Sequence, residues 1–321
     1  MRLPVSALLP IYNCRERLER HLRSVTQWAP LVQQLIIVDS GSTDGSIELA
    51  KEVLTPFGAQ FIHTPPGLYQ SWNAGISEST SCWCYITTVE DPITIDGLNH
   101  LVEVALRHDA DVVISPPEMM NHDGSAPSEA VMPSNRLAAS FANLNVEDRL
   151  LGRCEAIPLF CGCLPDGLLG SSASNLYRTS FLHRHPFPTE FGHCGDTAWG
   201  LTASVEANIV FTSRQCARFY VQTRHPDLTP RTQMERHQRF ATRTIKALRQ
   251  ASMTDPVAAS LLAWFESYDN SQKSLMDWLI RENAYQIQLE SMKAKYEGGI
   301  LQYLQRALRD EWRRFCGKLT D

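Results

Sequence analysis

Residues 35–46 constrain the fold of this 321-residue chain more than any other stretch. The stretch opens with four apolar residues, and such a short apolar run bounded by turn formers is typical of a strand buried on both faces. Asp39 follows directly, and the Gly, Ser, Thr and Asp residues after it end the strand and begin a helix over residues 47–54. Asp39 is therefore predicted at the carboxyl end of a buried strand, where open α/β sheets bind ligands.

Asp39 has two interpretations at this point. Its carboxylate can accept hydrogen bonds from the N–H group of a base and from ribose hydroxyls. Alternatively, the stretch is only a turn in which Asp44 or Ser46 caps the following helix. The residues alone leave both interpretations open.

The neighbouring segments predict a parallel sheet. Residues 5–10 are predicted to form a buried strand that Pro10 ends, residues 15–28 a helix, and residues 60–62 a short strand. This β-α-β-α-β order implies parallel strands joined by right-handed crossovers. No G-x-G-x-x-G follows the first strand and no G-x-x-x-x-G-K-[ST] occurs, which argues against a dinucleotide enzyme and a P-loop NTPase.

Glu90 and Asp91 repeat this arrangement after another predicted strand. The β-rich run of residues 82–89 ends at these two acids, and a proline stops it. Adjacent carboxylates at a strand end can hold a hard divalent cation against a phosphate, or they can simply be solvated. A helix over residues 96–107 and a strand over residues 111–115 follow.

Asn73 lies in a glycine-started helix that carries several aromatic residues, predicted over residues 67–76. Its side chain is either an ordinary capping or helix-face group or a contact to a ligand. The local pattern does not separate these two roles.

The composition excludes several classes of protein. A net charge of −5 gives no bulk reason to expect a nucleic-acid partner. The chain has no run of ~20 apolar residues that could span a membrane, and its first residues show no signal peptide. Nine Cys, an odd number at low density, indicate a reducing compartment, and we expect a cytoplasmic protein. The pairs Cys82-x-Cys84 and Cys161-x-Cys163 lack zinc-ribbon spacing, so free thiols are expected in place of a metal site.

Three motifs within the first 91 residues carry a resemblance to a known family. Residues 10–13 are Pro-Ile-Tyr-Asn, residues 38–45 are Val-Asp-Ser-Gly-Ser-Thr-Asp-Gly, and residues 67–75 are Gly-Leu-Tyr-Gln-Ser-Trp-Asn-Ala-Gly. In this order and spacing they resemble the nucleotide-diphospho-sugar-binding part of family 2 inverting glycosyltransferases with the GT-A fold. The resemblance implies a Rossmann-like, mostly parallel sheet flanked by helices over residues 1–228, followed by an α-helical extension over residues 229–321.

The resemblance also implies an activity and a set of binding residues. The activity is metal-assisted, non-processive transfer of a sugar from a nucleotide-diphosphate donor, with UDP as the default nucleotide, to a hydroxyl group. The acceptor would be a glycan, a lipid-linked sugar or another hydroxyl compound. The residues implied to bind the sugar nucleotide are Pro10, Tyr12, Asn13, Asp39, Ser40, Asn73, Glu90 and Asp91.

The metal motif departs from the family's Asp-x-Asp pattern, which another Asp often extends. Here the register gives Thr88-Val89-Glu90-Asp91, so a Thr and a Glu stand where the family has Asp. The resemblance leaves Asp91 as the ligand of Mn²⁺ or Mg²⁺. Glu90 is then expected to contact the ribose or to support the metal from outside its coordination sphere.

The resemblance places the catalytic base at Asp196. Residues 171–178 resemble the family's small-residue strand that ends in Arg, and residues 191–199 resemble its Glu-Asp-x-x-Trp segment, which carries the base. Gly195 replaces the Glu of that segment, whereas Asp196 is retained. Asp196 also suits the N-cap of a helix over residues 197–205, and both roles can hold together.

Two stretches are less informative. Residues 116–170 carry many Pro, Gly and Asn and are expected to form loops that shape the acceptor site. From residue 229 the chain is predicted to form amphipathic helices, including a basic-tipped one over residues 293–314. Three positions for these helices stay open: on the transferase domain, on a second copy of the chain, or on the inner face of a membrane. The Gln-x-x-Arg-Trp segment of the processive synthases is absent, which argues against polymer extrusion.

A second function, of a different class, stays open. Thr88 and Gly195 are also compatible with a partner subunit that binds a sugar nucleotide without turning it over. An α/β nucleotidyltransferase is disfavoured because no Gly-rich, basic triphosphate loop lies near the first strand.

Overall fold

An eight-stranded sheet with helices on both faces dominates the computed structural model of the protein. The structure describes residues 2–127, 132–143, 146–152, 155–156, 159–160, 163, 167–221, 246, 249–250, 253 and 259. The predicted helices of residues 229–321, and with them the predicted domain boundary and the three possible positions of those helices, therefore lie outside the described residues, apart from the last few positions named. Within the described part, no helix is both long and apolar enough to cross a membrane.

The elements alternate along the first half of the chain as the sequence predicted. The strands are β1 (Leu3–Ile11), β2 (Val32–Asp39), β3 (Gln60–His63), β4 (Trp83–Ile86), β5 (Val112–Ile114), β6 (Glu118–Met120), β7 (Asp148–Leu151), β8 (Leu176–Arg178), β9 (Ile209–Thr212) and β10 (Arg218–Tyr220). The helices are α1 (Arg15–Trp28), α2 (Ser46–Leu54), α3 (Leu68–Ser77), α4 (Ile95–His108), α5 (Pro133–Asn143), α6 (Thr179–Arg184) and α7 (Gly195–Glu206).

The strand order is β3-β2-β1-β4-β8-β5-β9-β7. Strands β1 to β4 are parallel to one another, which confirms the predicted parallel arrangement. Strand β8 is antiparallel to both of its neighbours, β7 is antiparallel to β9, and β6 pairs with β10 in a separate two-stranded sheet. Because β1 to β4 run in one direction, their carboxyl ends and the loops that follow share one edge of the sheet.

The core has two layers, one on each face of the sheet. On β1, Leu8 packs into one layer whereas Ala7 and Leu9 pack into the other, as the alternation of side chains along a strand requires. Helices α1, α2 and α4 cover the second layer. Helices α3, α5, α6 and α7 cover the first, which contains most of the buried aromatic rings, such as Phe187 and Trp199, whose centroids are 4.9 Å apart.

Strand β1 continues one residue past Pro10, where the sequence predicted that it ends. Pro10 pairs with Val38 of β2, whereas the ladder to β4 stops at Leu8. The last bond on the β4 side is donated by the Thr87 N–H group to the Leu8 carbonyl, at 2.9 Å. Backbone groups alternate in direction along a strand, so an N–H group at Pro10 would point to the β4 side, as the Leu8 carbonyl does. The ladder to β4 has already ended there, so the missing N–H group costs no hydrogen bond.

The expectation of loops over residues 116–170 is wrong in part. Strand β6, helix α5 and strand β7 all lie within it. Helix α5 begins with Pro133, a residue that suits the first helical position because its missing N–H group would be unpaired there anyway. Over residues 171–178, a 3₁₀ turn (Ser172–Ser174) precedes the strand, so the predicted strand is shorter than expected.

Candidate active site

The loops after β1 and β2 interlock at the carboxyl edge of the sheet. The Asn13 side-chain oxygen accepts a bond from the Thr43 N–H group at 2.9 Å, and the Asn13 N–H group donates to the Ser42 hydroxyl at 3.1 Å. The Asp44 carboxylate accepts from the N–H groups of Arg15 and Ser46, both at 3.0 Å. Asp44 thus binds the first N–H group of α2, but Gly45 occupies the N-cap position, so the prediction that Asp44 or Ser46 is the cap is wrong. These bonds hold the two loops as one unit.

Asp39 lies at the end of β2, as predicted, and is 4% exposed. One carboxylate oxygen accepts from the Ser42 N–H group at 3.0 Å, and the other lies 3.1 Å from Nδ1 of His63 at the end of β3.

The next residue, Ser40, donates its N–H group to the Ile11 carbonyl at 3.0 Å, which joins this position to β1. Tyr12 is 52% exposed on the adjoining loop. Pro10, Tyr12, Asn13, Asp39 and Ser40 are therefore brought together at one edge.

The turn after β4 separates Glu90 from Asp91. The Asp91 N–H group donates to the Thr88 carbonyl at 2.9 Å, and Glu90 adopts a left-handed φ of 81°. The Glu90 carboxylate forms ion pairs with Arg20 of α1 at 2.5 Å and with Arg17 at 3.4 Å. The Glu90 carboxylate is therefore already paired with two arginine side chains of α1. A contact of Glu90 with ribose or with a metal-bound group stays a prediction.

Asp91 is a buried carboxylate with weak hydrogen bonds. It is 6% exposed, and its oxygens accept from the Tyr220 N–H group at 3.3 Å and from the Ser171 hydroxyl at 3.4 Å. Burial raises the pKa of Asp91 to about 7, the two hydrogen bonds oppose that rise, and the nearby charge of Glu90 adds to it. The charged form of Asp91 is therefore costly unless a cation binds beside it.

These properties fit a divalent cation held by a single protein carboxylate. Mg²⁺ and Mn²⁺ prefer oxygen ligands, and Mg²⁺ commonly keeps several waters and binds through one or two carboxylates. Thr88, at the first position of the motif, has its hydroxyl 3.1 Å from the Ser172 hydroxyl. Within the described residues no three or more His, Cys, Asp or Glu side chains form a cluster that could hold a metal ion. Among the described residues Asp91 is then the candidate carboxylate ligand, and substrate phosphates and water would supply further ligands.

A cavity of about 660 Å³ adjoins the same turn on the α1 side. Arg20, Glu90 and Tyr220 contribute to its lining, whereas Asp39, Asp91 and Asp196 do not. Apart from Glu90, the predicted donor-binding residues do not line this cavity, and those at the ends of β1 and β2 lie along the open edge of the sheet.

Asn73 joins α3 to the segment that precedes α7. Its side-chain nitrogen donates to the Phe187 carbonyl at 2.8 Å, and its oxygen accepts from the Phe187 N–H group at 2.9 Å. Both ends of the carboxamide are thus engaged by protein backbone, and the predicted contact of Asn73 with a sugar nucleotide stays a prediction.

Asp196 lies in the first turn of α7, because the helix begins at Gly195. The predicted start at residue 197 with Asp196 as N-cap is therefore wrong, and Cys194 occupies the cap position. Asp196 accepts from the Thr197 N–H group at 2.6 Å. Burial raises the pKa of Asp196, and hydrogen bonds from Thr197 and from the Tyr69 hydroxyl lower it in part. A partly buried carboxyl group with a raised pKa at neutral pH has the properties of a general base.

Three residues that the sequence did not predict lie beside the predicted acids. His63 reaches Asp39, Ser171 reaches Asp91 and Tyr69 reaches Asp196. A longer prediction for β3 would have placed His63 in register with Asp39, which is its pairing partner. No local pattern points to the contacts of Ser171 and Tyr69.

His21 gives a pH-dependent stability that can be measured. It is 3% exposed on α1, its Nε2 lies 3.0 Å from the Thr87 hydroxyl, and burial lowers its pKa to about 4. The pKa of His21 is about 4 in the folded protein and about 6.5 in the unfolded chain, so the unfolded chain binds a proton more readily. The stability that neutral His21 allows is therefore complete above pH 6.5 and is lost as the pH falls toward 4. We expect the free energy of unfolding to fall by about 2 kcal/mol more in the native protein than in His21→Gln between pH 7 and 5. Urea denaturation at both pH values measures this, and equal pH slopes for the two proteins would contradict it.

Comparison with known proteins defines the class to which this site belongs. Residues 6–133 match the model of the family described as glycosyl transferase family 2. The match includes the segments that carry Asp39 and Asp91. No curated protein sequence matches the chain.

Solved structures of low sequence identity share the fold. Staphylococcus aureus TarS residues 1–349 in complex with UDP is 16% identical, with a TM-score of 0.59 over 98% of this chain and 89% of that one. The mannosyltransferase PcManGT from Pyrobaculum calidifontis, in complex with GDP-Man and Mn²⁺, is 14% identical, with a TM-score of 0.51 over 96% and 86%. Glucosyl-3-phosphoglycerate synthase from Mycobacterium tuberculosis, in complex with Mn²⁺, UDP and glucosyl-3-phosphoglycerate, is 16% identical, with a TM-score of 0.50 over 75% and 79%.

The fold and the family match give one identification. The chain is a glycosyltransferase with the GT-A fold, and its residues 6–133 match the model of glycosyl transferase family 2. The predicted GT-A fold and the glycosyltransferase class are thereby confirmed, whereas inversion and the helical extension over residues 229–321 stay predictions.

Proposed function

We propose that this glycosyltransferase moves a sugar from a nucleotide diphosphate, in the first instance UDP, to an acceptor hydroxyl with inversion at the anomeric carbon. The observation that carries the proposal is the position of Asp39 and Asp91, two buried carboxylates that follow the strands on either side of β1. UDP is the first donor to test because the TarS and glucosyl-3-phosphoglycerate synthase structures contain UDP, and another TarS structure contains UDP-GlcNAc.

The nucleotide would bind at the edge formed by the loops after β1 and β2. Asp39 has lone pairs left over after its bonds to Ser42 and His63, and these can accept bonds from the base or ribose. Tyr12, exposed beside it, offers a ring against which a base can pack. The interlocked loops keep these groups in place before the ligand arrives, which lowers the entropic cost of binding.

Asp91 would hold Mn²⁺ or Mg²⁺ against the diphosphate. When bound, the cation supplies positive charge that stabilises the departing diphosphate oxygen. Support for this assignment comes from the burial of Asp91 and from the Mn²⁺ in the PcManGT and glucosyl-3-phosphoglycerate synthase structures.

Asp196 would act as the general base. Its carboxylate takes the proton of the acceptor hydroxyl while that oxygen attacks the anomeric carbon from the face opposite the diphosphate. The new C–O bond forms as the bond to the diphosphate oxygen breaks, so the configuration inverts. The raised pKa of Asp196 strengthens it as a base, and the hydrogen bond from Thr197 fixes its orientation at the start of α7.

Two measurements test the proposal against the partner-subunit alternative. Thermal unfolding with a panel of sugar nucleotides, with and without Mn²⁺, identifies the donor because binding to the folded state raises the apparent stability. Release of free UDP from the stabilising donor then measures turnover. Stabilisation with no UDP release under any acceptor condition would favour the partner subunit, and the absence of any stabilisation would exclude both.

Asp39→Ala should weaken UDP binding by ~1.5–3 kcal/mol, or roughly 10- to 150-fold, the usual worth of a hydrogen bond to a charged group. Folding should persist because Asp39 sits at a strand end. Isothermal titration calorimetry with UDP gives the affinity, and Glu48→Ala, which removes an exposed carboxylate of α2, is the matched control. Unchanged UDP affinity in a folded Asp39→Ala protein would exclude this role.

A further inference from the structure

Tyr69 fills the space beside Gly195. It is the second residue of α3 and is 2% exposed. A Cβ atom placed on Gly195 would lie 2.5 Å from the Tyr69 ring and 2.6 Å from the Pro188 carbonyl oxygen, closer than real Cβ contacts come. The ring also packs against Trp72 and Phe187, with centroid distances of 4.9 Å and 5.7 Å. The ring is therefore fixed against the first turn of α7.

The Tyr69 hydroxyl has two acceptors at the end of this fixed ring. It donates to the His193 carbonyl at 3.2 Å, and the Asp196 carboxylate, whose pKa it lowers, lies near enough to be a second acceptor. A phenol has one proton to donate and can also accept. When Asp196 is charged, the hydroxyl can donate to the carboxylate, and when Asp196 is protonated, it can accept from the acid and donate to His193.

We propose that Tyr69 is a positioning residue for Asp196, with its ring locked against Gly195 and its hydroxyl alternating between the Asp196 carboxylate and the His193 carbonyl as the base gains and loses its proton. This inference rests on the proposed role of Asp196 as the base. A hydrogen bond to a carboxylate is stronger than one to a neutral acid, so the Tyr69 hydroxyl favours the charged form that can accept a proton. The second bond to Asp196, from the Thr197 N–H group, stays in place in both states.

Two other titratable side chains among the described residues act on this pair by charge: Tyr177 of β8 and Cys194 of the 3₁₀ turn before α7. Burial raises the pKa of Tyr177, so it is uncharged at neutral pH, and its hydroxyl lies 3.3 Å from Nδ2 of Asn175. Cys194 acts on Tyr69 by charge only when ionised.

Tyr69→Phe tests the hydroxyl alone because it keeps the ring. Loss of one hydrogen bond to the charged form should raise the pKa of Asp196 by about one unit, since such a bond is worth roughly 1–2 units and Thr197 still donates. A ¹³C carboxyl titration of the whole protein measures this pKa directly, with the Asp196 signal assigned by its loss in Asp196→Asn. The acid limb of the pH profile of UDP release should move to higher pH by the same amount, with the KM of the donor unchanged.

Tyr177→Phe is the matched control, since it removes another buried hydroxyl of the same aromatic cluster. Its Asp196 titration should coincide with that of the native protein. An unshifted titration in Tyr69→Phe, or an equal shift in both variants, would overturn the role of Tyr69. The role of Asp196 is judged separately: if Asp196→Asn transfers sugar normally, the proposed base is wrong whatever the titration of Tyr69→Phe shows.

Discussion

Asp196→Asn should keep sugar-nucleotide binding and lose ~10²–10⁴-fold in transfer rate, the usual contribution of a general base. Asn keeps the size of the side chain and can still accept from the Thr197 N–H group at the start of α7. It cannot take a proton from the acceptor. Because burial already disfavours the charge of Asp196, the neutral variant should fold at least as stably as the native protein at neutral pH.

The measurement is the rate of UDP release at saturating donor, together with the donor affinity by calorimetry. Glu206→Gln at the other end of α7 is the matched control, since it also replaces a carboxylate by an amide on the same helix. Its rate should match that of the native protein. Near-native turnover in a folded Asp196→Asn protein would reject Asp196 as the base.

Asp91→Asn should abolish metal-dependent transfer while it stabilises the metal-free protein. Loss of an outer partner of a metal site already costs ~10–100-fold in affinity or activity, and loss of the proposed carboxylate ligand itself should cost more. Glu90→Ala should have the milder effect because the Glu90 carboxylate is paired with Arg17 and Arg20 of α1. A greater loss in Glu90→Ala than in Asp91→Asn would reverse the assignment.

The stability of the metal-free protein follows from the pKa of Asp91. The pKa of Asp91 is about 7 in the folded protein and about 3.8 in the unfolded chain, so the folded protein holds this proton more tightly. Stability is then lost as the pH rises from about 4 to about 7, by up to about 4 kcal/mol. Asn removes this loss, so in the presence of chelator Asp91→Asn should melt higher than the native protein at pH 8 and not at pH 4. Equal melting temperatures at pH 8 would contradict the prediction.

Metal affinity should depend on the nucleotide. With one protein carboxylate and Thr88 in place of an acid, the free protein should bind Mn²⁺ weakly, and UDP phosphates should supply the remaining ligands. Titrating Mn²⁺ with and without UDP compares the two affinities. Tight binding to the free protein, or full activity in excess chelator, would show that this account of residues 88–91 is wrong.

The first half of the fold could be predicted because its signals are local. Each strand from β1 to β4 is a short apolar run, and the helices between them show apolar residues at helical spacing. Asp39 ends one of these runs and Asp91 follows another after a short turn, so their position at one edge of a parallel sheet followed from the element order. The region of residues 116–170 gave no such signal, since α5 and β7 are short and lie among Pro, Gly and Asn residues.

By itself, the sequence determined the alternation of strands and helices and the placement of the predicted acids at element ends, since both depend on neighbouring residues. Only the tertiary structure decided what each acid touches. Asp91 meets Ser171 across 80 residues of chain, Asn73 meets Phe187 across 114, and Tyr69 meets the His193 carbonyl across 124. These contacts exist because β8 enters the sheet antiparallel between β4 and β5, which brings the segments on either side of it against the ends of β4 and α3. No periodicity or turn signal in the sequence predicts the position of β8 between β4 and β5, because that position depends on how distant apolar surfaces pack together.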